Sequence, residues 1–359
     1  MAPARPAETP HDGPFFEPGP PGAALGVLER HREAIEGRLR GLLAGRVGPP
    51  YSLMRYHLGW EDSDGRAVEA RGGKLLRPAL CLLCCEAAGG EWRRALPAAA
   101  ALELLHNFTL IHDDLEDGSA QRHGRETVWR LWGEAQAINA GDGMFALAHV
   151  ALLQLSDEGH EPERIVRAAR MFDEAALRLC EGQHLDIDRS ASDRETYVRM
   201  IEGKTAALLA ASCGIGALVG GAPDATVDGL YEFGRRLGLA FQIRDDVLGV
   251  WGDPSETGKA HGDDLRAGKR SFPVVAALER ASETQRKELE RELGRPAASE
   301  DEIERACALL EELGARDEGE RVASEHAEAA VAALEDLSLQ AERRSELERL
   351  ARFAADRRA

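Results

Sequence analysis

LLHNFTLIHDDLEDG, residues 104–118, is the stretch that decides how this chain folds and where its chemistry sits. On a helical wheel at about 100° per residue, Ala101, Leu104, Phe108, Ile111 and Leu115 form one stripe. Leu102, His106, Thr109, Asp113 and Asp117 form a broadly opposite one. The first stripe has to be core. Pro97 suits a first helical turn, so the helix is expected over 97–117. Asp113 and Asp117 then stand one turn apart, roughly 6 Å along the axis, at an end where the helix dipole already disfavours negative charge. Stacked carboxylates there are a poor structural choice unless a cation joins them, and hard oxygen ligands suit Mg²⁺. The plain alternative is an exposed acidic helix end made of Asp113, Asp114, Glu116 and Asp117, and this stretch alone does not separate the two.

A second helix repeats the design. In GLYEFGRRLGLAFQIRDDVLGVWGD, residues 229–253, Leu230, Phe233, Leu237 and Phe241 recur at helical spacing and lead to Asp245-Asp246. Two such ends facing each other make a cage of carboxylates over an apolar pit. The cage would hold divalent ions, and the ions a diphosphate. A diphosphate also needs cations at its rim. GGKLLRP supplies Lys74 and Arg77 at a helix start, QRHGRET supplies Arg122 and Arg125, EGKTAAL supplies Lys204 and Thr205, and TGKAHGDDLRAGKRSFP supplies Lys259 and Lys269.

The rest of the chain frames this site. Over 359 residues, 63 Asp+Glu against 45 Lys+Arg give a net charge of −18, which repels a nucleic acid, and no basic stripe overrides it. The Cys81–Cys84 pair has no second pair or histidine partner, so the cysteines read as buried reduced thiols. No N-terminal segment resembles a signal peptide and no apolar run reaches the ~20 residues of a membrane span, which places the protein in the cytoplasm. Residues 1–22 are rich in Pro and Gly and read as a disordered leader, with one domain over 23–359. Besides 97–117, the periodicity predicts helices over 24–46, 74–89, 135–156, 162–187, 195–219, 226–250, 271–282, 284–294, 299–314, 317–336 and 341–357. The Glu- and Arg-dense last 80 or so residues read as a solvated outer layer. The fold class is all-α, a single large helical bundle around a deep central cavity.

GGKLLRP, HNFTLIHDDLED, RHGRET, GQHLDID, GKTAAL, FQIRDDVLGVWGD and TGKAHGDDLRAGKRSFP, in this order, resemble the trans-isoprenyl (polyprenyl) diphosphate synthase family. The resemblance implies a Mg²⁺-dependent condensation of isopentenyl diphosphate with an allylic diphosphate, in a homodimer. It places three Mg²⁺ ions on the two aspartate motifs, Asp113, Asp114 and Asp117 and then Asp245 and Asp246, with Asp113, Asp117 and Asp245 as metal ligands. Gly73, Lys74, Arg77 and His106 match its isopentenyl diphosphate site. Arg122, Lys204, Thr205, Gln242, Lys259 and Lys269 match its allylic diphosphate contacts.

The chain departs from the family pattern at three positions. His123 stands where a second arginine usually follows the first motif, Glu126 replaces a common proline, and Gly249 replaces the third aspartate of the second motif. Either Arg125 compensates for His123, or isopentenyl diphosphate binds more weakly. In the family, product length follows the residues four, five and eight before the first motif, here Thr109, Phe108 and Leu105. Phe108 without an insertion in the motif resembles enzymes that make the C20 product, geranylgeranyl diphosphate. Three other readings remain at this point: a C15 (farnesyl) synthase, a silent subunit of a heteromeric synthase, and a class I terpene cyclase.

Overall fold

The computed structural model describes residues 26–68, 73–188, 193–253, 261–293 and 299–357. The expected leader, residues 1–22, and Lys259 lie outside them. After a short first turn, α1 (Arg32–Leu43) and α2 (Tyr51–His57) lead into α3 (Leu76–Ala87) and α4 (Leu96–Glu116). A two-stranded hairpin, β1 (Gln121–Arg122) with β2 (Arg125–Glu126), precedes α5 (Val128–Trp132), α6 (Glu134–Leu153) and α7 (Pro162–Ile187). Next come α8 (Arg194–Ile201), a π-helical turn (Glu202–Ala206), α9 (Ala207–Val219) and α10 (Asp224–Trp251). The short α11 (Asp263–Arg266) is followed by α12 (Phe272–Arg280), α13 (Glu283–Glu292), α14 (Glu300–Glu312), α15 (Ala315–Ala332) and α16 (Ala341–Asp356). The all-α expectation holds, and the 162–187 helix has its expected bounds.

The core explains the helix order. Every residue of α9 is buried, because α3, α7 and α10 pack around it. α4 is enclosed by α1, α3, α6 and α9. Its two stripes therefore both lose solvent: Leu102 and Thr109 are as buried as Ala101 and Leu104, and the contrast between the stripes survives only in the last two turns. α10 lies between α9 and α15, with Leu230, Phe233 and Leu237 in the core as their spacing predicts.

Three expectations are corrected. The first helix breaks at Arg30–His31 instead of running through 24–46, and the short α2, α5 and the hairpin have no counterpart in the periodicity. Arg194–Val219 forms one stretch long and apolar enough to cross a membrane, but 83% of its apolar window is buried inside the bundle, so it is a core helix. Finally, Cys180 is exposed, whereas Cys81, Cys84, Cys85, Cys213 and Cys307 are buried as expected.

Candidate active site

The last turn of α4 carries no basic residue to offset its acids, so the compensation comes from elsewhere in the fold. Asp114 turns back into the protein and accepts from Arg122 Nε at 2.8 Å, with only 2% of its surface exposed. Asp113 and Asp117 stay on the open side. Burial, countered by Lys204 and reinforced by Asp117 and Glu116, pushes the Asp113 carboxyl up to about 6.

Lys204 reaches this end through a helix crossing that only glycines permit. A Cβ on Gly182 of α7 would lie 2.1 Å from Lys204 N, and one on Gly203 would lie 2.4 Å from Arg178 O. The backbones of α7 and the π turn therefore touch, and the π turn aims Lys204 inward. Its Nζ donates to Asp186 Oδ2 at 2.5 Å. Burial lowers the Lys204 pKa, but Asp113, Asp186 and Asp117 outweigh it, so the ammonium stays charged. Asp186, three residues after Gln183 in GQHLDID, is a member of this cluster that the sequence reading did not single out. Gln183 donates to Glu116 Oε2 at 2.7 Å and braces the same end.

At the other acid end, Asp246 is 7% exposed and accepts from Tyr197 Oη at 2.6 Å, the Phe272 backbone N–H at 2.7 Å and Gln242 Nε2 at 2.9 Å. Burial and then the charge of Asp264 push it up to about 7 against those donors. Asp245 instead lines the cavity and accepts from Arg357 at 2.8 Å. Lys269 ties the two ends together. Its pKa is lowered by burial but raised overall by Asp264 of α11, Asp117 at the end of α4, Asp186 of α7 and Asp246 of α10. Thr205 donates to Gln242 Oε1 at 2.8 Å, so both line one wall between the ends.

Gly249 has a physical cause. A Cβ there would lie 2.0 Å from Asp264 Oδ2, so the Asp264 carboxylate occupies the space that a side chain at 249 would take. Asp264 in turn stands 3.7 Å from Lys269 Nζ.

Between the acid ends and α1–α3 lies a cavity of about 530 Å³. Asp114, Gln242 and Asp245 mark its acidic side, and Gly73, Lys74, Arg77, His106, Arg122 and His123 its basic side. Lys74 and Arg77 are set by Leu75, a left-handed residue (φ +50°) at the cap of α3 whose strain fits a constrained site. Burial lowers Arg77 to about 10 although Glu103 and Asp113 oppose it, and among the described residues its Nε has no hydrogen-bond partner. Burial also depresses His106 well below the usual histidine range, helped by Arg77 and Arg122. His123 and Gly124, both at positive φ, form the two-residue hairpin loop that carries His123 to the cavity rim.

Of the site residues expected from sequence, Gly73, Lys74, Arg77, His106, Asp114, Arg122, His123, Thr205, Gln242 and Asp245 line this cavity, while Asp113, Asp117, Lys204, Asp246 and Lys269 form the charged cluster beside it. Leu105 and Thr109 are buried, and Phe108 packs on Phe145 of α6 at 5.1 Å and on His112 at 4.8 Å; none of the three lines the cavity just described. Arg125 lines the cavity beside His123 but is bound into the fold. It donates to Tyr56 O at 2.9 Å and Glu61 O at 2.6 Å, and its guanidinium stacks 4.0 Å from the Tyr56 ring centre. Glu126 uses its carbonyl to accept from Tyr56 Oη at 2.8 Å, while its side chain is exposed. Arg357 is a further surprise: it comes from the tail expected to be an outer layer, yet it is 5% exposed, lies 3.9 Å over the Phe241 ring and lines the cavity.

Among the described residues no three acid or imidazole groups close on one point. The acids between the ends are carboxylates alone, a donor set that suits a hard ion sharing its shell with water and ligand oxygens.

Comparison with known proteins agrees with this geometry. The polyprenyl synthetase family model matches residues 66–310. The geranylgeranyl diphosphate synthase of Mycobacterium tuberculosis is 42% identical over 329 residues, 90% of this chain and 93% of that protein. The (2E,6E)-farnesyl diphosphate synthase of Mycobacterium bovis is 40% identical over 342 residues, 93% of this chain and 94% of its own length. The solved geranylgeranyl pyrophosphate synthase from Corynebacterium glutamicum, complexed with isoprenyl diphosphate and magnesium, superposes with a TM-score of 0.80. It is 30% identical and covers 92% of this chain and 99% of its own. The family match and these relatives make the chain a prenyltransferase. The chain belongs to the polyprenyl synthetase family and is a short-chain trans-prenyl diphosphate synthase.

Proposed function

We propose that this chain condenses isopentenyl diphosphate with allylic diphosphates and stops at geranylgeranyl diphosphate. The observation that carries this reading is that Asp114 and Asp245, one from each acid helix end, line one cavity with Lys74, Arg77 and His106, while Lys204 and Lys269 interact with the acids of those ends. Asp113, Asp117 and Asp245 would hold three Mg²⁺ ions, which supply Lewis-acid charge to the allylic diphosphate. Lys204, Lys269, Arg122, Thr205 and Gln242, with Lys259, hold that diphosphate and stabilise the charge it gains as the allylic C–O bond ionises. Lys74, Arg77 and His106 hold isopentenyl diphosphate so that its double bond meets the cation. The C2 proton then leaves to the released diphosphate. Apolar walls such as Leu209 and Phe241 keep water from the cation.

Incubating the full chain with Mg²⁺, labelled isopentenyl diphosphate and each of the C5, C10 and C15 allylic diphosphates tests the reading. It predicts elongation of all three to a C20 diphosphate. Accumulation of C15 makes it a farnesyl synthase, cyclic hydrocarbons make it a cyclase, and no turnover makes it a silent subunit. We assign the stop to Phe108, five residues and about 7.5 Å along α4 from Asp113, closed off by Phe145. Phe108→Ala should lengthen the product; an unchanged product returns that ring to the core.

A homodimer also belongs to this reading. Ile138, Val150 and Leu153 on α6 and Val166, Leu177 and Ile187 on α7 are large apolar residues left exposed on two neighbouring helices. Leu153→Lys with Leu177→Lys should convert the species seen by light scattering from dimer to monomer.

A further inference from the structure

His57 is the last residue of α2 and lines the basic side of the cavity, yet the motifs that define the site do not include it. Asn107 of α4 lines the same side of the cavity. It donates to Glu103 O at 2.8 Å and Glu103 Oε1 at 2.9 Å. Three cationic or imidazole side chains of the hairpin, Arg122, His123 and Arg125, act on His57, and His57 itself acts on His106 of α4. Burial and then those positive neighbours lower it to about 3. Arg122, His123 and Arg125 all disfavour its protonated form, so without a bound anion His57 is neutral in positive company. An anion entering among these groups reverses that balance.

The backbone before His57 is fixed with unusual thoroughness. Arg125 bonds to the Tyr56 and Glu61 carbonyls and stacks on the Tyr56 ring. Tyr56 bonds to the Glu126 carbonyl and meets Trp132 edge-on, ring centres 4.8 Å apart. The arginine that sequence offered as a substitute ligand is therefore occupied in holding the neighbour of His57 against the hairpin.

We propose that His57 binds the diphosphate of isopentenyl diphosphate, that the Arg125–Tyr56 clamp positions it, and that His57 with His123 replaces the second arginine usual after the first aspartate motif. This deepens the proposed function and rests on its assignment of the basic side to isopentenyl diphosphate. The chemistry is reasonable: an arginine brings a fork of N–H donors, and two imidazoles at fixed positions together offer donors to the same oxygens.

The test is steady-state kinetics on the full chain with Mg²⁺, varying each substrate in turn, together with calorimetric binding of inorganic pyrophosphate. His57→Ala should raise the KM for isopentenyl diphosphate about tenfold, as expected for a hydrogen bond to a charged group, and leave the allylic KM within about twofold. His57→Gln, which keeps an N–H donor, should recover most of the loss, and Arg125→Ala should reproduce the selective rise. An unchanged KM for isopentenyl diphosphate in His57→Ala overturns the proposal, as does an equal rise in both KM values with a lowered melting temperature. If the wild type elongates nothing, the proposed function fails, but the calorimetry still decides: weaker pyrophosphate binding by His57→Ala supports the role and unaltered binding refutes it.

Discussion

At the end of α4, Asp113 and Asp117 look into the gap while Asp114 is turned back onto Arg122; at the end of α10, Asp245 looks into the gap while Asp246 is held by three donors from three segments. Each adjacent pair of aspartates is thus divided: one carboxylate is built into the fold, and the other faces the gap, free at the α4 end and paired with Arg357 at the α10 end. The division is unequal. Asp114 has a single arginine partner on a hairpin, whereas Asp246 holds Tyr197 of α8 and the first residue of α12 to α10. The α4 end is consequently free to meet a ligand with two carboxylates, and the α10 end is a rigid wall that presents one. Lys269 interacts electrostatically with acids of both ends.

Substitutions that separate the open from the built-in carboxylates test this contrast. The largest effect belongs to the open set. Asp113→Ala should lower turnover about 100-fold or more, since charge stabilisation at the diphosphate is lost, with the melting temperature within about 2 °C of wild type; Asp245→Ala should lower turnover similarly but also lower the melting temperature, because buried Arg357 loses its carboxylate. Near-normal turnover would remove Asp113 from the site. Asp246→Ala comes next and should act on stability first. It leaves the Tyr197 hydroxyl and the Phe272 N–H buried without an acceptor, at about 1–3 kcal/mol each, so the urea midpoint should fall clearly. A midpoint equal to that of Asp113→Ala erases the distinction between the two ends. The smallest effect is expected from Gly249→Ala, whose Cβ would displace Asp264, costing about 1–3 kcal/mol. Gly249→Asp, which restores the commoner residue, should be worse than alanine, and improved activity there would contradict the packing reason for glycine.

The same contrast shows what the sequence could disclose. Both acid ends were legible because the 3.6-residue period of α4 and α10 is strong and the aspartates interrupt it at one end. Which aspartate of each pair would be open was not, because the donors that bury Asp246 come from residues 49 positions before and 26 positions after it. The hairpin escaped notice since its loop is His-Gly instead of the Asn-Gly that normally announces such a turn. Asp186 stood in a motif already noticed, but its meeting with Lys204 depends on the Gly182–Gly203 crossing, which no local pattern encodes. Arg357 looked like one more charge in a Glu- and Arg-rich tail, and only the packing of α16 against α10 carries it to the cavity.

The most direct measurement is a crystal structure of the full chain with Mg²⁺ and an unreactive allylic thiolodiphosphate. The account predicts metal ions at about 2.0–2.1 Å from Asp113, Asp117 and Asp245 oxygens, with Asp246 still bonded to Tyr197 and Phe272. Ions bound instead by Asp114 and Asp246, with those internal bonds broken, or a diphosphate lodged away from both helix ends, would contradict it.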